Sequence, residues 1–251
     1  MSEDSNPAQG AETTATSPVA ADGVTHFRLH FTRAAPPAPW QVAALCRWRD
    51  RLRALGLVGQ AEARYGGVGF GNLSARHPHR RDAFLITGTQ TGARARLGPH
   101  DFAIVTAIDL GTNCVFAHGG SAPSSEAMTH AQCYAADPQV GVVFHGHSPL
   151  LWAGAAQLGI LSTPADIGYG TPEMAAAVAG LLALAGPQAA MPPALADLRK
   201  PARLFRMGGH EDGIIAVAAT ADAAGEALLR ALVALGDATA EALLAGEPAR
   251  G

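Results

Sequence analysis

The chain has 251 residues, 48% of them apolar and 16% charged, with a formal net charge of −3. That length and balance fit one full-sized globular domain with a real core. No basic run interleaved with aromatics occurs, which excludes a nucleic-acid binder, and no stretch approaches the roughly 18 uninterrupted apolar residues of a membrane-spanning helix.

Residues 1–22 are Ser/Thr/Ala-rich, carry Glu3 and Asp4 and lack a basic n-region. They read as a disordered tail rather than a secretory signal, leaving residues 23–251 as a single domain. Thr25 to Thr32 is a short extended segment closed by Pro36-Pro37-Ala38-Pro39. A helix follows from Pro39 to about Gly56, with Val42, Leu45, Trp48, Leu52 and Leu55 on one face. Asn72 to Arg76, Ala83 to Thr87, Phe102 to Ile108 and Asn113 to Ala117 are strand-like runs separated by turn residues, which favours antiparallel pairing.

The spacing predicts a helix over Ser124 to Ala136, started by Pro123-Ser124-Ser125 and stopped by Asp137-Pro138. A buried strand ending at His145 comes next, then helices over Ser148 to Gln157 and Thr171 to Leu184. Gly186 to Pro201 is a Pro/Ala-rich connection, Gly213 to Ala219 a last strand, and Asp222 to Leu244 one long alanine-rich helix. The expected architecture is one α/β domain whose helices cover a mixed, mostly antiparallel sheet. Cys46, Cys114 and Cys133 form no close-spaced pair. They argue against a disulfide framework or thiolate zinc site and for a reducing, cytoplasmic setting.

His145-Gly146-His147 is the most telling run. Residues two apart on a strand point the same way, so both imidazoles project together and could grip a divalent metal. A catalytic metal takes three protein ligands and keeps an open position. Of the eight other histidines, His210 precedes the last strand of the same sheet and could approach the pair. His26, His30, His77 and His79 lie in early polar segments, His100 and His118 beside glycine-rich turns, and His130 on the helix after Ser125. Glu126 is placed in that helix's first turn, where a carboxylate suits the dipole. Ser124 and Ser125 read as capping residues that could also hold an anion. The runs Gly66-Gly67-Val68-Gly69-Phe70-Gly71-Asn72 and Thr87-Gly88-Thr89-Gln90-Thr91-Gly92 could add backbone donors, although neither ends as a Walker loop does.

Taken in order, seven segments resemble the class II aldolase/adducin family: Gly71-Asn72-Leu73-Ser74-Ala75-Arg76, Leu85-Ile86-Thr87, Pro123-Ser124-Ser125-Glu126, Thr129-His130, His145-Gly146-His147-Ser148-Pro149, Tyr169-Gly170-Thr171 and Gly209-His210. The resemblance implies a three-layer fold and a sugar-phosphate enzyme that assembles as a homotetramer. By likeness to the fuculose-phosphate aldolases, His145, His147 and His210 would hold Zn2+, with Fe2+, Mn2+ or Co2+ as alternatives, and Glu126 would move the proton. Gly71, Asn72, Ser124 and Ser125 would bind phosphate together with Thr91-Gly92, or with Thr89. The implied reaction is reversible cleavage of a ketose 1-phosphate into dihydroxyacetone phosphate and an aldehyde.

Three departures keep other readings open. Gly69 stands where these aldolases carry a threonine. Glu211-Asp212 intervene between His210 and Gly213. Asp166 occupies the place of the aldolases' proton-donating tyrosine, which resembles the ribulose-phosphate 4-epimerases, where a catalytic aspartate stands; yet Glu126 is not the residue they carry, and no tyrosine follows His210. Tyr169 reads as structural. Besides the aldolase, the resemblance therefore allows an epimerase, a metal-dependent oxygenase or decarboxylase, and a non-catalytic adducin-like scaffold.

Overall fold

The computed structural model describes residues 27–185 and 202–246. The expected tail at 1–22 and the connection at 186–201 lie outside the described residues. Strand β1 (Arg28–Arg33) leads into helix α1 (Pro39–Ala54). Pro39 opens α1 because its missing N–H costs nothing there, and Gly56 leaves it at φ 69°, a conformation that suits glycine. The short pair β2 (Gly59–Gln60) and β3 (Gly69–Phe70) then brings the glycine-rich run back on itself.

Four antiparallel strands follow, β4 (Asn72–Arg76), β5 (Phe84–Thr87), β6 (Phe102–Asp109) and β7 (Cys114–Gly119). Helix α2 (Ala127–Ala136), strand β8 (Val142–His147), helix α3 (Pro149–Gly154), strand β9 (Leu161–Ser162) and helix α4 (Pro172–Ala185) come next. After the undescribed connection, β10 (Ala202–Arg206) and β11 (Gly213–Ala218) lead to α5 (Ala221–Ala234) and α6 (Ala238–Leu244). Nine strands form one sheet in the order β1-β7-β6-β5-β4-β8-β11-β10-β9. Its outermost pairs, β1 with β7 and β10 with β9, are parallel, and the other pairs are antiparallel.

Strand alternation divides the core into two layers. Val142, Phe144, Ile214, Ala216 and Ala218 face α1 and α5, whereas Val143, Ile215 and Val217 face α2 and α4. The neighbouring strands β8 and β11 are buried along their whole length. The alanines of α5 let it approach α1 closely: a side chain at Gly225 would begin 2.1 Å from the Trp48 ring. Trp48 Nε1 also donates to Asp222 Oδ1 at 2.7 Å.

Several boundaries differ from expectation. The long final helix is two helices, because Gly236 takes φ 87° and Asp237 caps α6 by accepting from Ala240 N–H at 3.0 Å. Strands β9 and β10 were not expected; β10 interrupts its apolar alternation with Arg203 and Arg206. Helix α2 starts at Ala127 instead of Ser124. Gly88 and Pro123 form a β-bridge and Ser124 N–H donates to the Thr87 carbonyl, so the chain is still extended at Ser124.

Candidate metal centre and substrate cleft

The histidine pair extends β8 by two residues beyond its expected end. His145 is in register with Asn72 of β4 and Ile215 of β11, and His147 with Gly213. Both histidines share the sheet face that carries Val143, toward α2. Gly146 between them admits the chain that follows α1: His147 N–H donates to the Leu57 carbonyl at 2.7 Å, and a side chain at Gly146 would begin 3.2 Å from that oxygen.

His210 arrives on the turn between β10 and β11. Gly208 and Gly209 let that turn lie on the backbone of 163–167, since side chains there would begin 2.3 Å from the Thr163 carbonyl oxygen and 1.9 Å from that of Ile167. The three rings converge. His145 Nε2 lies 3.1 Å from His147 Nε2 and 3.2 Å from His210 Nε2, and one ligand atom from each ring falls within 4.8 Å of the others. All three residues are buried.

Burial pushes the His145 pKa down to about 4, partly countered by the Ile214 carbonyl 3.2 Å from its Nδ1. Burial likewise holds His147 and His210 well below the ordinary histidine range. Neutral imidazoles are the ligating form. Two of them meet His145 Nε2, and with Nδ1–H donated to Ile214 that atom offers a single lone pair. It cannot serve both neighbours through hydrogen bonds, whereas one cation serves all three. Two nitrogens on a tetrahedral zinc, each about 2.0–2.1 Å from it, stand about 3.3 Å apart. The separations of His147 and His210 from His145 therefore fit a metal.

Glu126 caps α2 with φ −87° and ψ 5°, the sparsely populated bridge region. Its N–H donates to Ser124 Oγ at 3.3 Å. Its carboxylate is buried, with Oε1 4.0 Å from His210 Nε2. His130, one turn further on, faces away from a ligand role. Its Nδ1 lies 2.6 Å from Ser74 Oγ, which is 2.7 Å from the Tyr134 hydroxyl, in a buried polar chain.

The histidines and Glu126 line a cleft. Gly71, Asn72, Thr89, Thr91, Gly92, Ser124 and Ser125 line it too, so both threonines left open by the sequence border it. Gly71 has φ 74°, and a side chain there would begin 2.5 Å from Val58 Cγ1. Asn72 Oδ1 is buried without a hydrogen-bond partner, a polar atom suited to a ligand. A side chain at Gly69 would begin 3.4 Å from the Gly92 nitrogen, so a glycine there keeps the two segments close.

Asp166 is not brought to this site. It stands exposed on the turn after Thr163-Pro164 and does not line the cleft. With 163–167 pinned under Gly208-Gly209, it is Tyr169 that enters, stacking on His210 at 4.5 Å between ring centroids. Sequence reasoning also missed a clasp at the rim. The Tyr65 hydroxyl donates to Asp212 Oδ2 at 2.7 Å and accepts from Arg64 Nη2 at 2.8 Å, while its ring meets His147 at 4.5 Å. Tyr65 and Asp212 both hold positive φ, 49° and 59°, a strain that calls for such anchoring. Burial and the bond to Asp212 push the Tyr65 pKa up to about 12, so the hydroxyl keeps its proton. The departure noted after His210 thus supplies the clasp's carboxylate.

Residues 60–234 match the family described as Class II Aldolase and Adducin N-terminal domain. Among curated proteins, the chain is similar to methylthioribulose-1-phosphate dehydratase of Pseudomonas syringae pv. syringae, 39% identical over 77 residues, which is 31% of this chain and 34% of the relative. It is similar to the same-named protein of Gluconacetobacter diazotrophicus, 30% identical over 103 residues, 40% of this chain and 46% of the relative. The chain thus spans between about a third and a half of the length of these relatives. Among solved structures, an L-fuculose 1-phosphate aldolase superposes with a TM-score of 0.54 at 18% identity, covering 85% of this chain and 91% of that one. A sugar-phosphate aldolase from Thermotoga maritima gives 0.51 at 15% identity, covering 80% and 98%. At those identities the likeness is one of fold. With more than half of its length matched, the chain belongs to the class II aldolase and adducin N-terminal domain family.

Proposed function

We propose that the cleft is the active site of a metal-dependent lyase that reversibly splits a ketose 1-phosphate into dihydroxyacetone phosphate and an aldehyde. The observation that carries this reading is the convergence of three buried, neutral imidazoles beside a buried carboxylate, in a cleft also lined by hydroxyls, glycine backbone and the rings of Phe70 and Tyr169. Zinc is the first choice because three imidazoles with an open position are one of its catalytic arrangements; Fe2+, Mn2+ and Co2+ suit the same donors. Bound there, the metal would supply Lewis acidity to the substrate's carbonyl and adjacent hydroxyl oxygens.

The chain's own residues supply the rest. Ser124, Ser125, Asn72 and the Thr91-Gly92 segment hold the phosphate, which fixes the reacting carbons against the histidines. Glu126 protonates the carbon left electron-rich by cleavage, and removes that proton in the synthetic direction, while the proton of the hydroxyl that becomes the aldehyde carbonyl is exchanged with solvent. Tyr169 and Phe70 wall the cleft and limit water. A homotetramer in the cytoplasm is the setting that the family likeness suggests.

A second reading is loss of water from a ketose 1-phosphate. The names of the curated relatives favour it, as does the absence of a tyrosine at position 166. It uses the same phosphate cradle and the same carboxylate, with a carbon–oxygen bond broken in place of a carbon–carbon bond. The exposed position of Asp166 argues against an epimerase, and the clustered histidines argue against a scaffold. A panel of ketose 1-phosphates offered to the zinc-loaded protein tests these alternatives. Release of dihydroxyacetone phosphate supports the aldolase. A dehydrated product without it moves the assignment to the second reading. Neither product, with stoichiometric metal bound, removes both.

A further inference from the structure

Among the described residues that line the cleft there is no lysine or arginine, yet the ligand proposed for its cradle is a dianion. A cation stands directly behind it. Arg49 of α1 is 3% exposed, and its guanidinium donates to the carbonyls of Ala95 at 3.1 Å, Thr91 at 3.2 Å and Gly92 at 3.1 Å. A small crevice borders Arg49 and is also lined by Phe70, Gly71, Asn72, Thr91 and Gly92, residues that line the main cleft as well. The wall between them is backbone packed on backbone. A side chain at Gly92 would begin 2.2 Å from the Gly59 carbonyl oxygen and 2.9 Å from Gly69 Cα.

Arg49 is short of counter-charge. The carboxylate within 4.0 Å is that of Asp50, whose side chain is 44% exposed. Asp101 is engaged elsewhere, by Arg94 Nη1 at 2.9 Å and by Gly98 N–H at 2.8 Å. Buried charges are normally paired, because desolvating one alone is costly. Burial and the neighbouring Arg53 lower the Arg49 pKa and outweigh the opposing pull of Asp50, Asp101 and Cys46, although a guanidinium stays charged at neutral pH.

We infer that Arg49 is a positioning residue for phosphate. It holds the Thr91–Gly92 segment by its carbonyls and supplies, through one layer of peptide, the positive field that a phosphate dianion in the cleft completes. This rests on the reading of the cleft as a phosphate site. The low-dielectric wall keeps the field from being screened by water, and the indirect contact leaves the hydroxyls of Ser124 and Ser125 free to set orientation.

The test is binding of inorganic phosphate to the full-length protein, followed by calorimetry at low salt. Wild type is compared with Arg49→Met and Arg49→Lys at pH 8, where phosphate is mainly the dianion, and at pH 6, where it is mainly the monoanion. Arg49→Met is expected to bind at least tenfold more weakly at pH 8 and to lose clearly less at pH 6. Arg49→Lys keeps the charge with fewer donors and is expected to stay within about threefold of wild type at pH 8. Unchanged binding by Arg49→Met overturns the inference, and an equal loss at both pH values reduces Arg49 to a loop strut. If Arg49→Met does not fold, a tenfold loss by a folded Arg49→Lys overturns it. Failure of wild type to bind phosphate at either pH is a different result: it removes the phosphate reading itself, and this inference with it.

Discussion

Tyr65→Phe removes one oxygen and leaves the ring against His147 in place. What is lost is the hydrogen bond to Asp212 Oδ2, 2.7 Å long, and the one accepted from Arg64, 2.8 Å long. Hydrogen bonds to charged groups contribute roughly 1.5–3 kcal/mol when buried. Tyr65 and Asp212 are half-buried, and water can replace part of the bond, so about 1.4 kcal/mol is the reasonable expectation. Asp212 lies two residues after His210 and holds a positive φ, which an aspartate tolerates best when its side chain is anchored. Without the clasp, the His210 turn samples other conformations and the three nitrogens lose part of their preorganisation. A cost of 1.4 kcal/mol corresponds to about tenfold in metal affinity, the lower end of what outer partners of metal ligands contribute. Competition with a chromophoric chelator measures it directly. A Tyr65→Phe protein that binds zinc within twofold of wild type refutes the reasoning, because the clasp would then hold only the surface.

His147→Ala removes a ligand, and zinc affinity is expected to fall by more than about 100-fold, beyond any outer-partner effect; metal analysis after dialysis showing a full equivalent contradicts that. Gly92→Ala places a carbon 2.2 Å from the Gly59 carbonyl oxygen, so backbone must move at a cost of about 1–3 kcal/mol; both Tm and phosphate affinity should drop, and no change in either contradicts the packing. Burial raises the Asp137 carboxyl, but bonds from Arg203 and the Gln139 N–H outweigh it and hold its pKa below the ordinary value. A depressed folded pKa gives stability above the unfolded value of about 3.9 that disappears as pH falls through the folded one. Asp137→Asn should therefore lose about 1–2 kcal/mol at pH 7 and draw level with wild type in strong acid; an equal gap at both contradicts the ion pair's role.

The parts of the site legible in the sequence are those set by local rules. His145 and His147 share a face because strand side chains alternate, and α1 declares itself through Pro39 and its apolar stripe. Asn72, Ser124 and Glu126 were placed by order along the chain, and the fold brings them together. Glu126 still enters differently from expectation, because a bridge between Gly88 and Pro123, set by a distant strand, delays the helix. The parts that were not legible depend on contacts across the chain. Asp166 and Tyr169 sit three residues apart, and only the packing of Gly208-Gly209 on 163–167 decides which faces His210. Tyr65 and Asp212 are 147 residues apart and Arg49 lies over forty residues from its carbonyl partners, so no periodicity links them. Strand β10 was obscured by two arginines in a five-residue run.

Proton exchange on dihydroxyacetone phosphate needs no knowledge of the aldehyde. The zinc-loaded protein is incubated with that compound in D2O and the hydroxymethyl proton signal is followed by NMR. One proton of the pair should be replaced by wild type. Glu126→Gln, folded and carrying zinc, should exchange it about 10²–10⁴-fold more slowly. No exchange by wild type with a full equivalent of zinc bound, or equal exchange by both proteins, would contradict a metal-assisted proton transfer through Glu126.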